Sequence, residues 1–168
     1  QDGKFADADV ARLKEFRQTL DQLYSVNYAA GALVEADSTR RNPLYKASHL
    51  TDGDEKTSWA PADDAKTGSF VLDLGKEQHF DVVELKETIE KGQRISCFTI
   101  DVAVNGQWVP YGAGSTVGYR RLIKGQPVDS RYLRVSISDA QATPILNGVS
   151  VYKTPASIEE ADGYPLGL

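Results

Sequence analysis

Phe98-Thr99-Ile100-Asp101-Val102-Ala103-Val104-Asn105-Gly106-Gln107-Trp108-Val109-Pro110-Tyr111 is the stretch that decides the fold class. Phe98, Ile100, Val102 and Val104 recur every second residue, so they share one face of an extended strand. Asn105-Gly106 then suits the positive φ angles of a type I′ turn, and residues 107–111 return as the second arm of a hairpin. Working outward, residues 69–74, 81–88, 116–123, 132–138 and 148–152 also read as strands, broken by Gly, Pro, Asn and Asp. Seven or eight short antiparallel strands of this kind predict an all-β protein, an antiparallel β-sandwich or jelly roll. The sandwich is expected over residues 33–153.

The N-terminal stretch has a different period. Asp7 to Asp9 precede Val10, Leu13, Phe16, Leu20 and Leu23, whose spacings of three and four mark one face of an amphipathic helix about four turns long. Arg12, Lys14, Arg17, Gln18 and Asp21 occupy the other face. Its apolar stripe must be covered either by the sandwich or by a neighbouring domain, and residues 1–32 are read as a linker helix. The segment 154–168, with Pro155 and Pro165, reads as a loosely held tail.

Composition narrows the function classes. With 40% hydrophobic and 26% charged residues the chain is that of an ordinary globular domain, and its 168 residues suit one core. A net charge of −5 with scattered Lys and Arg argues against nucleic acid as a partner. No apolar run approaches the ~18 residues of a membrane span. The single cysteine, Cys97, excludes an intrachain disulfide and reads as a core residue. The absence of methionine marks the sequence as a processed or excised piece. His79 is expected in a solvated turn, and two histidines with one cysteine give no zinc pattern. Glu84, Glu87 and Glu90 read as a solvated charge run rather than as catalytic carboxylates.

The most specific local feature is Leu50-Thr51-Asp52-Gly53-Asp54-Glu55-Lys56-Thr57-Ser58-Trp59-Ala60. Its oxygens suit a hard cation such as calcium, but the same carboxylates also suit Asx-type turns that close on the backbone. This Asp-Gly-Asp-x-x-Thr-x-Trp pattern resembles the early loop of discoidin, or factor V/VIII C-type, β-sandwiches. The segments Phe70-Val71-Leu72-Asp73-Leu74-Gly75, Phe80-Asp81-Val82-Val83-Glu84-Leu85, Gly92-Gln93-Arg94-Ile95 and Val117-Gly118-Tyr119-Arg120-Arg121-Leu122 narrow the resemblance. They are similar to the C-terminal domain of α-L-fucosidases of glycoside hydrolase family 29.

The resemblance implies a non-catalytic, carbohydrate-binding accessory module that holds terminal sugars of a glycan, in an extracytoplasmic setting. Asp9-Val10-Ala11-Arg12-Leu13-Lys14-Glu15-Phe16 resembles the last helix of the fucosidase barrel, which makes an N-terminal catalytic domain the expected partner. The catalytic aspartate of that family would lie upstream of Gln1, so no catalytic residue is assigned. A structural calcium is implied at the His49 carbonyl, Asp52, Asp54 and Thr57, with a glutamate on the last strand. That last position is Gly148 here, and the missing carboxylate leaves weak calcium, sodium, water or no ion as alternatives.

Sugar binding needs an aromatic face and fixed polar groups on loops. The candidates are Arg94, Tyr119, Arg120, Arg121 and Trp59, with the loop 139–146 as a further source of polar contacts. Trp59 suits core packing as well as stacking, and Trp108 suits a cross-strand contact. Arg94 and Arg121 could instead pair with the nearby glutamates or dock a catalytic domain. The alternatives to sugar binding are therefore a domain that supports the barrel, or one that completes its pocket through Arg94 or Arg120.

Overall fold

A computed structural model describes residues 6–156. One helix, α1 (Asp7–Leu23), precedes six strands: β1 (Leu33–Ala36), β2 (Gly68–Glu87), β3 (Ile95–Val104), β4 (Gln107–Gly114), β5 (Arg121–Ala140) and β6 (Leu146–Tyr152). All pairings between these strands are antiparallel. The order β1-β2-β5-β3-β4 makes one layer, and β6 joins the far half of β2 to begin the second. The fold is an all-β sandwich with one N-terminal helix, as the sequence predicts.

The strand count differs from the expectation, for a physical reason. Segments 69–74 and 81–88 belong to one 20-residue strand, β2, and β5 likewise runs for 20 residues through a region read as a turn. Register shifts between Asp73 and Gln78 and between Phe80 and Val82 let β2 bend without ending. Its first half pairs with β1 and with residues 132–137 of β5, while residues 82–87 pair with β6. Polar residues at 75–77 and 125–127 mark bends in a continuous ribbon. Residues 116–120, expected in a strand, form a loop before Arg121.

The core lies between the layers. Phe70, Leu72, Leu133, Val135, Phe98, Ile100 and Val102 meet Val83, Leu85, Leu146 and Val151 in one cluster. Trp59 is fully buried beside them, 5.2 Å from Phe70 in an edge-to-face contact. The hairpin forms as expected: Asn105 and Gly106 have φ of 51° and 77°, and Val104 faces Gln107 across the turn. Trp108 pairs with Ala103 across the strands and lies under the Arg134 guanidinium at 4.7 Å. Cys97 is exposed, not core, because its neighbour Phe98 takes the inward position on β3.

Helix α1 has no buried residue, and Leu13 and Phe16 are 57% and 61% exposed. The chain rejoins the sandwich just after it. Tyr24 meets Tyr152 edge to face at 5.1 Å, and Asn27 Oδ1 accepts hydrogen bonds from the Ala29 and Val151 amides. At the other end, Thr154 is buried and its amide donates to Asp81 Oδ1 at 2.6 Å, so the segment read as a loose tail starts fixed. Residues 157–168 of that tail lie outside the described residues. His79 sits within β2, where its Nδ1 contacts Asp129 Oδ1 at 2.8 Å, rather than in a turn.

Close backbone approach is built in at Gly114, the cross-strand partner of Phe98. A Cβ there would stand 2.6 Å from the fully buried Phe98 ring. Gly114→Ala should therefore cost about 1–3 kcal/mol, the usual cost of overpacking, read as a lower midpoint in equilibrium urea unfolding.

Candidate functional site

Loops cluster at one end of the sandwich around a single buried carboxylate. Glu87, 1% exposed, ends β2 next to a register shift at Lys86. Its Oε1 accepts the amides of Arg94 at 2.6 Å and Ile95 at 3.0 Å, and its Oε2 accepts the Gly118 amide at 3.2 Å. The Glu87 amide in turn donates to the Gly118 carbonyl at 2.9 Å. Two loops far apart in sequence, 92–95 and 117–118, are thus fastened to one strand end. Gly118, at φ 67°, has the left-handed backbone that glycine adopts without strain.

A third loop is tied to the first through Arg94. Its guanidinium donates to the carbonyls of Lys91 and Thr143, at 2.7–3.0 Å and 2.8 Å, and its own carbonyl accepts the Gln141 amide at 2.7 Å. Gln141 also reaches Ser96 Oγ at 3.1 Å. Arg94 therefore clamps the loop 141–145 to the 3-10 turn Ile89–Lys91. Its guanidinium makes no ion pair with Glu84, Glu87 or Glu90 among the described contacts.

The other candidates divide. Tyr119 is 58% exposed, and Arg121, at the start of β5, is also exposed. Arg120 turns the other way, with Nε 3.1 Å from Glu84 Oε2 and its guanidinium 5.3 Å from the centre of the Tyr24 ring. Trp59 is a correction: it is 0% exposed, and its indole N–H points to the Ser38 carbonyl and Thr39 hydroxyl, so no sugar can stack on it. Tyr119, on the loop after Gly118, and Arg121, at the start of β5, thus face solvent.

The glutamates also differ from a solvated run. Glu84 and Glu87 are each 1% exposed, and Glu90 alone faces solvent. Burial pushes the Glu84 carboxyl above the usual range, while Arg120 and Lys86 pull it back. The signal in the sequence was Val82-Val83-Glu84-Leu85, apolar on both faces, which marks a strand covered on both sides. Nothing comparable marked Glu87, whose partners come from loops distant in sequence.

The loop 50–57 closes largely on itself. Asp52 Oδ1 accepts the Asp54 amide at 2.9 Å, Asp54 Oδ1 accepts the Lys56 amide at 2.9 Å, and the Thr57 hydroxyl lies 2.8 Å from Asp52 Oδ2. The first two are Asx turns, and the third is a side-chain bond across the loop. The His49 ring contacts the Ser58 carbonyl at 2.9 Å. Among the described residues, no three His, Cys, Asp or Glu side chains converge as metal ligands. A cleft of about 40 Å³ separates the loop from β6, and Lys86 lines it with Gly53, Glu55 and Gly148. The Lys86 ammonium is 2.6 Å from Glu55 Oε1 and holds that carboxyl below the usual range. Calcium needs six to eight oxygens and a negative surround, so this donor set, with a fixed cation and no carboxylate at 148, does not fit it.

The F5/8 type C domain model matches residues 34–149. The chain belongs to the F5/8 type C domain family. A putative α-L-fucosidase 1 of Oryza sativa subsp. japonica is 30% identical over 159 residues, covering 93% of this chain and 31% of that protein. The crystal structure of SpGH29 superposes with a TM-score of 0.84 at 42% identity, covering 91% of this chain and 33% of that one. A Ruminococcus gnavus GH29 fucosidase in complex with fucose gives 0.85 at 29% identity, covering 93% and 32%. The chain thus spans about a third of the length of these relatives. It holds the F5/8 type C domain without the catalytic barrel.

In this F5/8 type C domain, Glu87→Ala should cost about 3–5 kcal/mol in chemical denaturation, since charge-assisted bonds are worth about 1.5–3 kcal/mol each and do not add fully. Hydrogen exchange should quicken at the Arg94, Ile95 and Gly118 amides, while Glu87→Gln, which keeps one acceptor oxygen, should lose less.

Proposed function

We propose that this domain is a non-catalytic carbohydrate-binding module appended to an α-L-fucosidase, working outside the cytoplasm on terminal sugars of a glycan. The observation that carries the reading is the exposure of Tyr119, one residue after the Gly118 that Glu87 fastens, and of Arg121 at the start of β5, in a domain similar to a third of several fucosidases. Tyr119 offers an apolar ring face for stacking, and the planar donors of Arg121 suit adjacent hydroxyls. Arg94 acts here as the clamp between the loop 141–145 and the turn Ile89–Lys91, with Nε, Nη1 and Nη2 all donating to carbonyls.

Affinity is expected to be weak. One ring face and a few hydroxyl contacts must offset desolvation and ordering, which places Kd at about micromolar to millimolar, or roughly −4 to −8 kcal/mol.

A second reading has its own observation. Among the described residues nothing covers the middle of the α1 stripe, where Leu13 and Phe16 are more than half exposed, as expected of a helix that packs on a catalytic barrel. On that reading the domain supports the barrel and binds no sugar alone.

Titration of the domain with galactosides, fucosides and N-acetylhexosamines, followed by heat and by NMR shifts, separates the two. Saturable shifts at residues 118–121, lost in Tyr119→Ala and Arg121→Ala with the fold retained, support the binding module. Silence across the panel, with a parent enzyme less stable when this region is removed, favours the supporting domain.

A further inference from the structure

We propose that the Lys86 ammonium is a built-in cation that fastens the loop 51–57 to strands β2 and β6 in place of a metal ion, so that this domain is indifferent to calcium.

The sequence of β6 makes room for it. Lys86 and Gly148 are register partners across β2 and β6. A Cβ at Gly148 would stand 3.5 Å from Lys86 Cδ and 3.9 Å from Cγ, so the lysine stem lies flat over the bare glycine. The stem ends with the ammonium inside the cleft, its side chain only 15% exposed. There it meets Glu55 Oε1 of the loop at 2.6 Å and Glu84 Oε1 of the sheet at 3.8 Å. A long side chain at 148 would compete for that path.

The charges balance. Glu55 and Glu84 face Lys86 and Arg120, two anions against two cations, so the cluster is neutral as it stands. A partly buried lysine is stable only when paired in this way. A divalent ion entering the same cleft would lie beside a fixed ammonium and unbalance the cluster. Asn147 adds a second tie, its side-chain amide donating to the Glu55 carbonyl at 3.0 Å. The loop is therefore bound to the sheet from Glu55 by one ionic and one neutral contact, with its own carboxylates turned into Asx turns.

The test uses the 168-residue protein with calcium chloride and EGTA as probes. The unfolding midpoint should be the same in both, and calcium titration should give no saturable heat. Lys86→Met, which keeps the apolar stem, should lose about tenfold or more of the exchange protection at the Lys56 and Thr57 amides, the size expected for one charge-assisted bond. Lys86→Arg, which keeps a cation, should retain the fold and most of that protection even if Lys86→Met does not fold. A midpoint that rises with calcium and falls with EGTA overturns the proposal, as does a Lys86→Met protein whose loop stays fully protected.

Discussion

Glu87 accepts three backbone N–H groups from two loops, and the geometry of one end of the sandwich rests on that carboxylate. The loops 92–95 and 117–118 leave amides that no strand ladder satisfies, and a buried amide without a partner is costly. A buried carboxylate without donors is costlier still. Each defect cures the other. Because the acceptor is one rigid group at the end of a long strand, the loops are fixed relative to the sheet and to each other. Arg94 extends the same logic to the loop 141–145, this time with a guanidinium that satisfies carbonyls.

Elements set by local pattern were legible in the sequence. The Phe98 to Val104 alternation, the Asn105-Gly106 turn and the α1 stripe each depend on residues a few positions apart, and each forms as read. The bends in β2 and β5 were not legible, because the polar stretches at 75–77 and 125–127 have the composition of turns. Only the pairing partners decide that the strand continues through them. Gly125 shows the point: a Cβ there would come within 2.5 Å of the Tyr111 ring, so the glycine serves a close approach and not a reversal.

The candidate site was legible as a set of loops and not as a set of roles. Arginine is chosen equally for hydroxyls, carbonyls and carboxylates, and its sequence position does not say which it meets. Arg94 meets carbonyls, Arg120 meets buried Glu84 under Tyr24, and Arg121 meets solvent. Glu84, Glu87 and Glu90 look alike in sequence, yet one balances a charge cluster, one gathers loop amides and one is exposed. What separates them is position: Glu84 lies within β2, Glu87 at its end past the register shift, and Glu90 in the 3-10 turn beyond it.

The same distribution of charge bears on how such a domain could act. Glu87 and Arg94 are engaged in holding backbone rather than in facing a ligand. A site of that kind gains affinity from preorganisation more than from contact number. On the accessory-module reading, weak binding is nonetheless useful, because the module would be tethered to an enzyme. A short connection confers an effective concentration in about the millimolar range, comparable with the dissociation constant expected here, so the tethered site would be substantially occupied whenever the enzyme engages the same glycan. On the accessory-module reading, rigidity of the loops and modest affinity are then two consequences of one arrangement: polar groups committed to the scaffold fix the shape of the surface and limit how tightly it can hold a sugar.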